Sequence, residues 1–432
     1  NQMGINFSRV LTLRYGNSVT NNLGGKYQAI SVGRVMTCVL GMVVRREREI
    51  RAFVKTPFYR VVSSIALEGE SFEGEWRAVE GSRYFQSPVL YKENGFKKKE
   101  DAQKLICELS TQQPLICTVE KIERKKENKN PPLLFNLAEL QNVCSKLFKI
   151  SPDETLSIVQ DLYEKKLVTY PRTDARVLST AVAKEIYKNI SGLRNYPQAG
   201  EAAQGALELG AYKNIAKTRY TNDKQITDHY AIIPTGQGLG ALKGLSLTAQ
   251  RVYETIVRRF LSIFYPPAVY QKVSLVTKME NESFFSSFKV LLSEGYLKIA
   301  ANSFAKKSMA EVSGKTPESE GEGEVSCDEA LLAALQKLKK GDILNINGLG
   351  IKEGETSPPK RYNSGSMILA MENAGQLIED EDLRSQIKGS GIGTSATRAE
   401  ILKKLFNIRY LSLNKKTQVI TPTLQGEMIY DV

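Results

Sequence analysis

Histidine is nearly missing from this chain of 432 residues: His229 is the only one. The five cysteines, at 38, 107, 117, 144 and 327, are scattered and form no C-x-x-C pair. A zinc centre needs about four thiolate or imidazole ligands at short spacings, and this set cannot supply them. An odd number of dispersed cysteines suits a reducing cytoplasm, where thiols act as small apolar fillers. No run approaches the roughly 20 uncharged apolar residues of a membrane span. The opening Asn1-Gln2-Met3-Gly4 lacks the basic-then-apolar pattern of a secretory signal. No internal repeat is evident.

Positive charge, by contrast, is in excess. There are 60 basic and 47 acidic residues, a formal net charge of +13. Such a surplus concentrates polyanions near the surface and speeds their capture, which favours nucleic acid as a partner over a mere solubility surplus. The length is too great for one simple core and predicts two to four domains.

Residues 1–56 read as mainly helical. From Val35 to Ile50 the chain is apolar and then densely charged, with Arg45, Arg46, Glu47, Arg48 and Glu49 close together, and Pro57 ends the stretch. From Phe58 to about Val89, and again over Leu115–Ile122, short β-rich runs take over. The charged segment from Lys121 to Asn130, closed by Pro131-Pro132, reads as a domain boundary. Beyond it, Leu137–Phe148 has helical apolar spacing. Ser151-Pro152-Asp153-Glu154 is a strong helix start: a cap, a first-turn proline and the acid of a capping box. These two helices resemble a helix-turn-helix, a packing unit that often touches DNA. A second β-rich stretch, from about Ala268 to Ala300, is predicted to join the first in one sheet domain. Lys307 to Asp328 reads as a mobile loop, and from Pro358 onward helix returns.

The chemistry concentrates in Leu167-Val168-Thr169-Tyr170-Pro171-Arg172-Thr173-Asp174, directly after the capped helix. Pro171 stops helix propagation and biases Tyr170 towards extended backbone, which would put Tyr170 and Arg172 on one side of the chain. A phenol and a guanidinium could then face one phosphate together. Tyrosine attack on phosphorus suits reversible strand cutting, because the phosphotyrosine keeps the bond energy for resealing. The phenol needs help losing its proton, and a guanidinium can hold two phosphate oxygens. The plainer reading is a strand hydroxyl beside a surface Arg172–Asp174 ion pair.

The string Thr169-Tyr170-Pro171-Arg172-Thr173-Asp174 resembles the active-site signature of type IA DNA topoisomerases. Further stretches resemble the same family in the same order. Ser31-Val32-Gly33-Arg34-Val35, running on to Arg46-Glu47-Arg48-Glu49-Ile50, resembles its early DNA-binding helix. Asp228-His229-Tyr230-Ala231-Ile232-Ile233-Pro234-Thr235 resembles its histidine motif. Gly391-Ile392-Gly393-Thr394-Ser395-Ala396-Thr397-Arg398-Ala399-Glu400 resembles its late Gly/Thr motif, preceded by Pro358-Pro359-Lys360-Arg361-Tyr362 and Met371-Glu372-Asn373-Ala374-Gly375. The form of these last stretches favours the topoisomerase III branch. Met36, Cys38 and Ala175 depart from the family pattern without removing a group the chemistry requires.

The resemblance implies a multidomain α+β fold, the toroidal type IA core. A helical base would comprise residues 1–56 and 351–432, and a β-rich arch residues 57–130 and 266–350. A helical domain over 131–265 would carry the tyrosine. Tyr170 would be the nucleophile, joined to a 5′-phosphate, with Arg172 on the scissile phosphate and His229 assisting. Ser31 and Arg34 would line a single-strand groove. The resemblance extends DNA contact to Thr173, Asp174, Ser395, Thr397 and Arg398. By residue type alone, Thr397 and Glu400 also fit a capping box, and a helix starting near Thr394-Ser395 offers a phosphate site at its open N–H groups.

The family also has an N-terminal TOPRIM domain whose carboxylates hold Mg2+. The first residues here resemble the segment just after that domain, and Asp380-Glu381-Asp382 reads as a solvated loop. The expectation is a piece of a longer, cytoplasmic, nucleoid-associated enzyme. It would be monomeric, would bind single-stranded DNA and would cleave it poorly by itself. Two rivals differ in class. A tyrosine recombinase would need several arginines and histidines around the phosphate, and a non-catalytic DNA-binding module would need no nucleophile.

Overall fold

The computed structural model describes residues 33–305, 324–374 and 391–432. Three large apolar cores organise these residues, one in a β-barrel and two among helices.

The barrel grows from strands whose side chains alternate in and out. In β1 (Pro57–Leu67), Val61, Ser63, Ile65 and Leu67 point inward with period two. β2 (Glu70–Arg77) turns back on β1. The short β3 (Leu90–Lys92) and β4 (Gly95–Phe96) extend the sheet beside β1. β5 (Ile116–Lys129), β6 (Ala268–Met279), β7 (Glu282–Ser293), β8 (Glu324–Val325) and β9 (Ile343–Glu355) complete the sheet. Its ladder closes on itself: β1 pairs β2, β2 pairs β7, β7 pairs β6, β6 pairs β5, β5 pairs β9 and β9 pairs β1. Closure removes exposed edges from those strands. Inside, Trp76 stacks on Phe96 at 4.8 Å and donates through Nε1 to the buried Glu282 at 2.7 Å. Ser82 and the Arg83 N–H also donate to Glu282, so its carboxylate is buried but fully engaged. A helix over Lys99–Ser110, with no counterpart among the expected elements, covers the barrel with Ala102, Leu105 and Leu109.

The charged segment expected as a boundary is strand. Lys121 through Lys129 pairs residue by residue with Val276 through Ala268. Ladder bonds do not need apolar side chains, and ion pairs such as Lys272–Glu127 (2.6 Å) settle the exposed face.

The chain leaves the barrel at Lys129 and returns at Ala268, and these two residues are paired across β5 and β6. Everything between forms one helical unit. α3 (Leu137–Phe148) is capped by Asn136, and α4 (Pro152–Glu164) by Ser151; α2 denotes the Lys99–Ser110 helix. With α5 (Gly200–Leu209) and α6 (Leu247–Ser262) they enclose a core that includes Val159, Leu162, Ile232, Val257 and Phe260.

The second helical unit, the base, is joined to the barrel at another paired end, Pro57 opposite Glu355. It contains α1 (Arg34–Ala52), α8 (Ser364–Glu372), α9 (Arg398–Asn407) and α10 (Leu424–Tyr430), with α7 (Glu329–Lys337) lying on the barrel before them. The return to helix is interrupted by a hairpin, β10 (Leu411–Leu413) with β11 (Ile420–Pro422). The charged run of α1 is largely used within the base. Arg46 lies over the Tyr362 ring at 4.2 Å, Glu47 accepts two bonds from Arg361, and Arg48 pairs with Asp431 at 2.8 Å.

Candidate active site

Residues 166–178 and 229–235 lie side by side and are stitched together. The Thr169 N–H donates to the Ile233 carbonyl at 3.0 Å. The Thr169 hydroxyl donates to the Ala231 carbonyl at 3.0 Å and accepts from the Ile233 N–H at 2.9 Å. Four residues on, the Thr173 hydroxyl donates to the His229 carbonyl at 3.2 Å, across 56 positions of sequence. Val168 bridges Pro234, and the Ala231 N–H reaches the Val177 carbonyl. Each hydroxyl substitutes for a missing ladder bond, so two irregular segments are fixed without becoming strands.

This stitching puts the Tyr170 ring against His229, with centroids 4.3 Å apart and planes inclined by 38°. On another side Tyr163, from α4, meets Tyr170 edge-on at 5.4 Å and 82°. Tyr170 is half-buried, held by its ring. Among the described residues its hydroxyl has no protein hydrogen-bond partner, and the contact with His229 is ring on ring.

Arg172 is exposed. The backbone next to it bends rather than running straight: the Thr173 N–H returns to the Pro171 carbonyl at 3.0 Å, a three-residue turn centred on Arg172. The turn sends Arg172 outward and Thr173 inward, where it is 3% exposed. Among the described residues the Arg172 guanidinium has no carboxylate partner. The ion pair with Asp174 that the plainer reading would require is not formed, because Asp174 pairs instead with Arg398 at 3.3 Å.

Arg398 is 2% exposed, and its Nε donates to the Ile392 carbonyl at 3.0 Å. Thr173 and Arg398, expected among the DNA contacts, thus have their polar groups turned into the protein. The late Gly/Thr motif is pressed against α8. Gly391 sits at φ +71°, and a Cβ there would fall 2.3 Å from the Glu372 carbonyl oxygen, so only glycine fits. The Thr397–Glu400 capping box does not form. The Thr397 hydroxyl turns back to accept from the Thr394 N–H at 2.9 Å, although the first helical bond does run from the Arg398 N–H to the Thr394 carbonyl.

A family model described as DNA topoisomerase matches residues 2–432. The chain belongs to the type IA DNA topoisomerases. It is 31% identical over 431 residues to DNA topoisomerase 3 of Bacillus subtilis (strain 168), covering 99% of this chain and 52% of that protein. DNA topoisomerase 3 of Shouchella clausii is also 31% identical, over 96% of this chain and 50% of its own length. The chain therefore spans about half the length of the curated relatives it matches. Full-length topoisomerase I from Thermotoga maritima has the same fold, with a TM-score of 0.59 at 22% identity, over 98% of this chain and 59% of that one.

The other expected site residues of this type IA chain divide by place. Arg34 begins α1 and is exposed, while Ser31 lies outside the described residues. Ser395 is half-buried and Thr397 exposed in the turn before α9. Among the described residues no group of His, Cys, Asp or Glu side chains converges on a possible metal position. Asp380-Glu381-Asp382 lies outside them. No described helix is long and apolar enough to cross a membrane. Composition and motif gave no hint of Tyr163, whose place in α4 reads as that of an ordinary surface aromatic; only its approach to Tyr170 marks it.

Proposed function

We propose that this chain is the strand-cutting core of a type IA topoisomerase and that Tyr170 attacks a phosphodiester of single-stranded DNA. A bond forms between the phenol oxygen and phosphorus, the bond to the 3′-oxygen breaks, and a proton passes to that leaving oxygen. The strand is left as a 5′-phosphotyrosine and a 3′-hydroxyl. Reattack by the hydroxyl reverses every step and returns the phenol. The reading rests on one observation: a phenol hydroxyl and, two residues away, a guanidinium that have no partner among the described residues, on a segment otherwise fixed by internal bonds.

Arg172 would hold the non-bridging oxygens and offset the charge that develops on them. His229 packs on the ring and would assist by holding it in place. Thr173 and Arg398 act through position, one tying the segment to the histidine strand, the other holding Asp174. Arg34, Ser395 and Thr397, with Ser31, supply the groove for the DNA strand. Between cutting and resealing, the helical unit swings from the base on its paired β5/β6 ends and lets another strand pass. Relaxation of negative supercoils or decatenation follows from such passage. A monomer working beside DNA in the cytoplasm fits the expected location.

The test uses the chain joined to the expected TOPRIM domain with Mg2+. Tyr170→Phe abolishes covalent trapping of a single-stranded oligonucleotide and leaves binding unchanged across a salt titration. A trapped adduct in Tyr170→Phe, or a 3′-phosphotyrosine in the wild type, rejects the reading. The chain by itself binds the oligonucleotide and cleaves it little; robust relaxation by it alone rejects that part.

A further inference from the structure

The motif Met371-Glu372-Asn373 is unused by the chemistry so far, yet its carboxylate crosses from the base to the helical unit that carries Tyr170. Glu372 ends α8. Its Oε1 accepts from Asn136 Nδ2 at 2.8 Å and its Oε2 from Arg176 Nη2 at 3.2 Å. Both partners hold the tyrosine segment. Asn136, 0% exposed, caps α3 and also donates to the Asp174 carbonyl at 3.3 Å. Arg176 lies in the same segment, and its carbonyl accepts from the Leu134 N–H.

The surrounding seam is built for close approach. A Cβ on Gly365 of α8 would lie 2.8 Å from Ser145 Cβ of α3, and the Ser145 and Ser364 hydroxyls meet at 3.1 Å. Small residues let the two helices touch, and this places the Glu372 carboxylate against Asn136 and Arg176. These partners lie across the seam between the units, whereas the bonds between residues 166–178 and 229–235 lie within the helical unit.

We infer that Glu372 is a positioning residue: through Asn136 and Arg176 it sets the Tyr170 segment for attack only while the helical unit is docked on the base. Cutting and resealing are thereby confined to the docked state. The inference rests on the proposed role of Tyr170, and its physical half can be tested separately.

His229 is the only histidine, so the 432-residue chain gives one imidazole Hε1 signal, shifted by the Tyr170 ring 4.3 Å away. Glu372→Ala moves that signal toward its position in Tyr170→Leu. Glu372→Gln, which can still accept from Asn136, moves it less. Lys403→Ala, which removes an ion pair between α9 and α4 away from the tyrosine segment (Lys403–Asp153, 3.4 Å), leaves it in place. In the TOPRIM-joined form, Glu372→Ala lowers covalent trapping roughly 10- to 100-fold at unchanged oligonucleotide affinity. Circular dichroism checks folding, and Glu372→Gln carries the test if Glu372→Ala unfolds. An unmoved His229 signal overturns the inference, as does a Lys403→Ala shift as large as that of Glu372→Ala, or wild-type trapping in both Glu372 variants. Trapping that persists in Tyr170→Phe overturns the proposed function instead, while the signal still decides the coupling.

Discussion

Toward its own core, the Tyr170 segment is held by main-chain bonds, two threonine hydroxyls and the packing of rings. Toward the base it is held by Glu372 with Asn136 and Arg176, and by Asp174 with Arg398. The first set shields polar backbone that would be costly to expose, so it persists through any movement of the unit. The second set joins side chains that water can serve in turn, so separating the units costs little apolar exposure at these points. A nucleophile can thus keep its shape on a body that detaches.

Breaking the inner side should have the largest effect. Phe260, 0% exposed in the core of the helical unit, contributes packing only. Phe260→Ala should cost roughly 3–5 kcal/mol in that unit. Far-UV circular dichroism in urea should show an early helical transition, while fluorescence of Trp76, buried in the barrel, keeps its midpoint. A shift of the Trp76 transition by the same amount would mean that the units unfold as one.

A finer cut is Thr169→Val, which keeps the shape and removes the hydroxyl that serves both the Ala231 carbonyl and the Ile233 N–H. The expected loss is about 1–3 kcal/mol, from stranded buried groups. The His229 signal should broaden or move as the two segments loosen. Wild-type stability with an unmoved signal would show that the hydroxyl bridge is dispensable.

The smallest effect concerns charge within the base. The hydrogen bond from Arg361 holds the Glu47 carboxyl below the usual carboxylate range, against the opposing effect of its burial. A lowered folded pKa means that the stabilisation is present above the ordinary carboxylate value and is lost as pH falls through the folded one. Arg361 is 46% exposed on its side chain, so the pair contributes about 1 kcal/mol or less. Acid titration of hydrogen exchange in α1 should therefore show a loss of protection below the ordinary carboxylate range that Arg361→Gln flattens. Exchange in the Thr169–Ile233 pairing, which carries no titrating group, should not follow that curve.

Local signals were readable where one residue type has one cheap use. Ser151-Pro152-Asp153-Glu154 starts a helix because hydroxyl, ring and acid suit a first turn, and α4 begins there. Leu137–Phe148 is helical for its apolar spacing, and the runs at Phe58 and Leu115 are strands. Lys121–Lys129 was not legible as a strand because its charges face water while its backbone is paired, a partition that composition does not register. The Thr397–Glu400 pattern misled because the Thr397 hydroxyl had a nearer partner in Thr394. Of the loop expected from Lys307 to Asp328, residues 307–323 lie outside the described residues, while Glu324–Val325 is a short strand paired with β7 and Asp328 caps α7.

By itself, then, the sequence determined the capped and apolar-patterned elements, the cationic character and the presence of a Tyr-Pro-Arg-Thr-Asp segment whose motif carries the family resemblance. The tertiary structure alone decided that the β ladder closes on itself, that His229 lies on Tyr170, and that Arg172 turns out while Thr173 turns in. It also decided that Glu372 reaches across to Asn136 and Arg176. Short-range order follows from backbone sterics and local hydrogen bonding, which neighbours in sequence specify. Contacts between distant segments depend on how whole cores fit together, and no single stretch of residues encodes that fit.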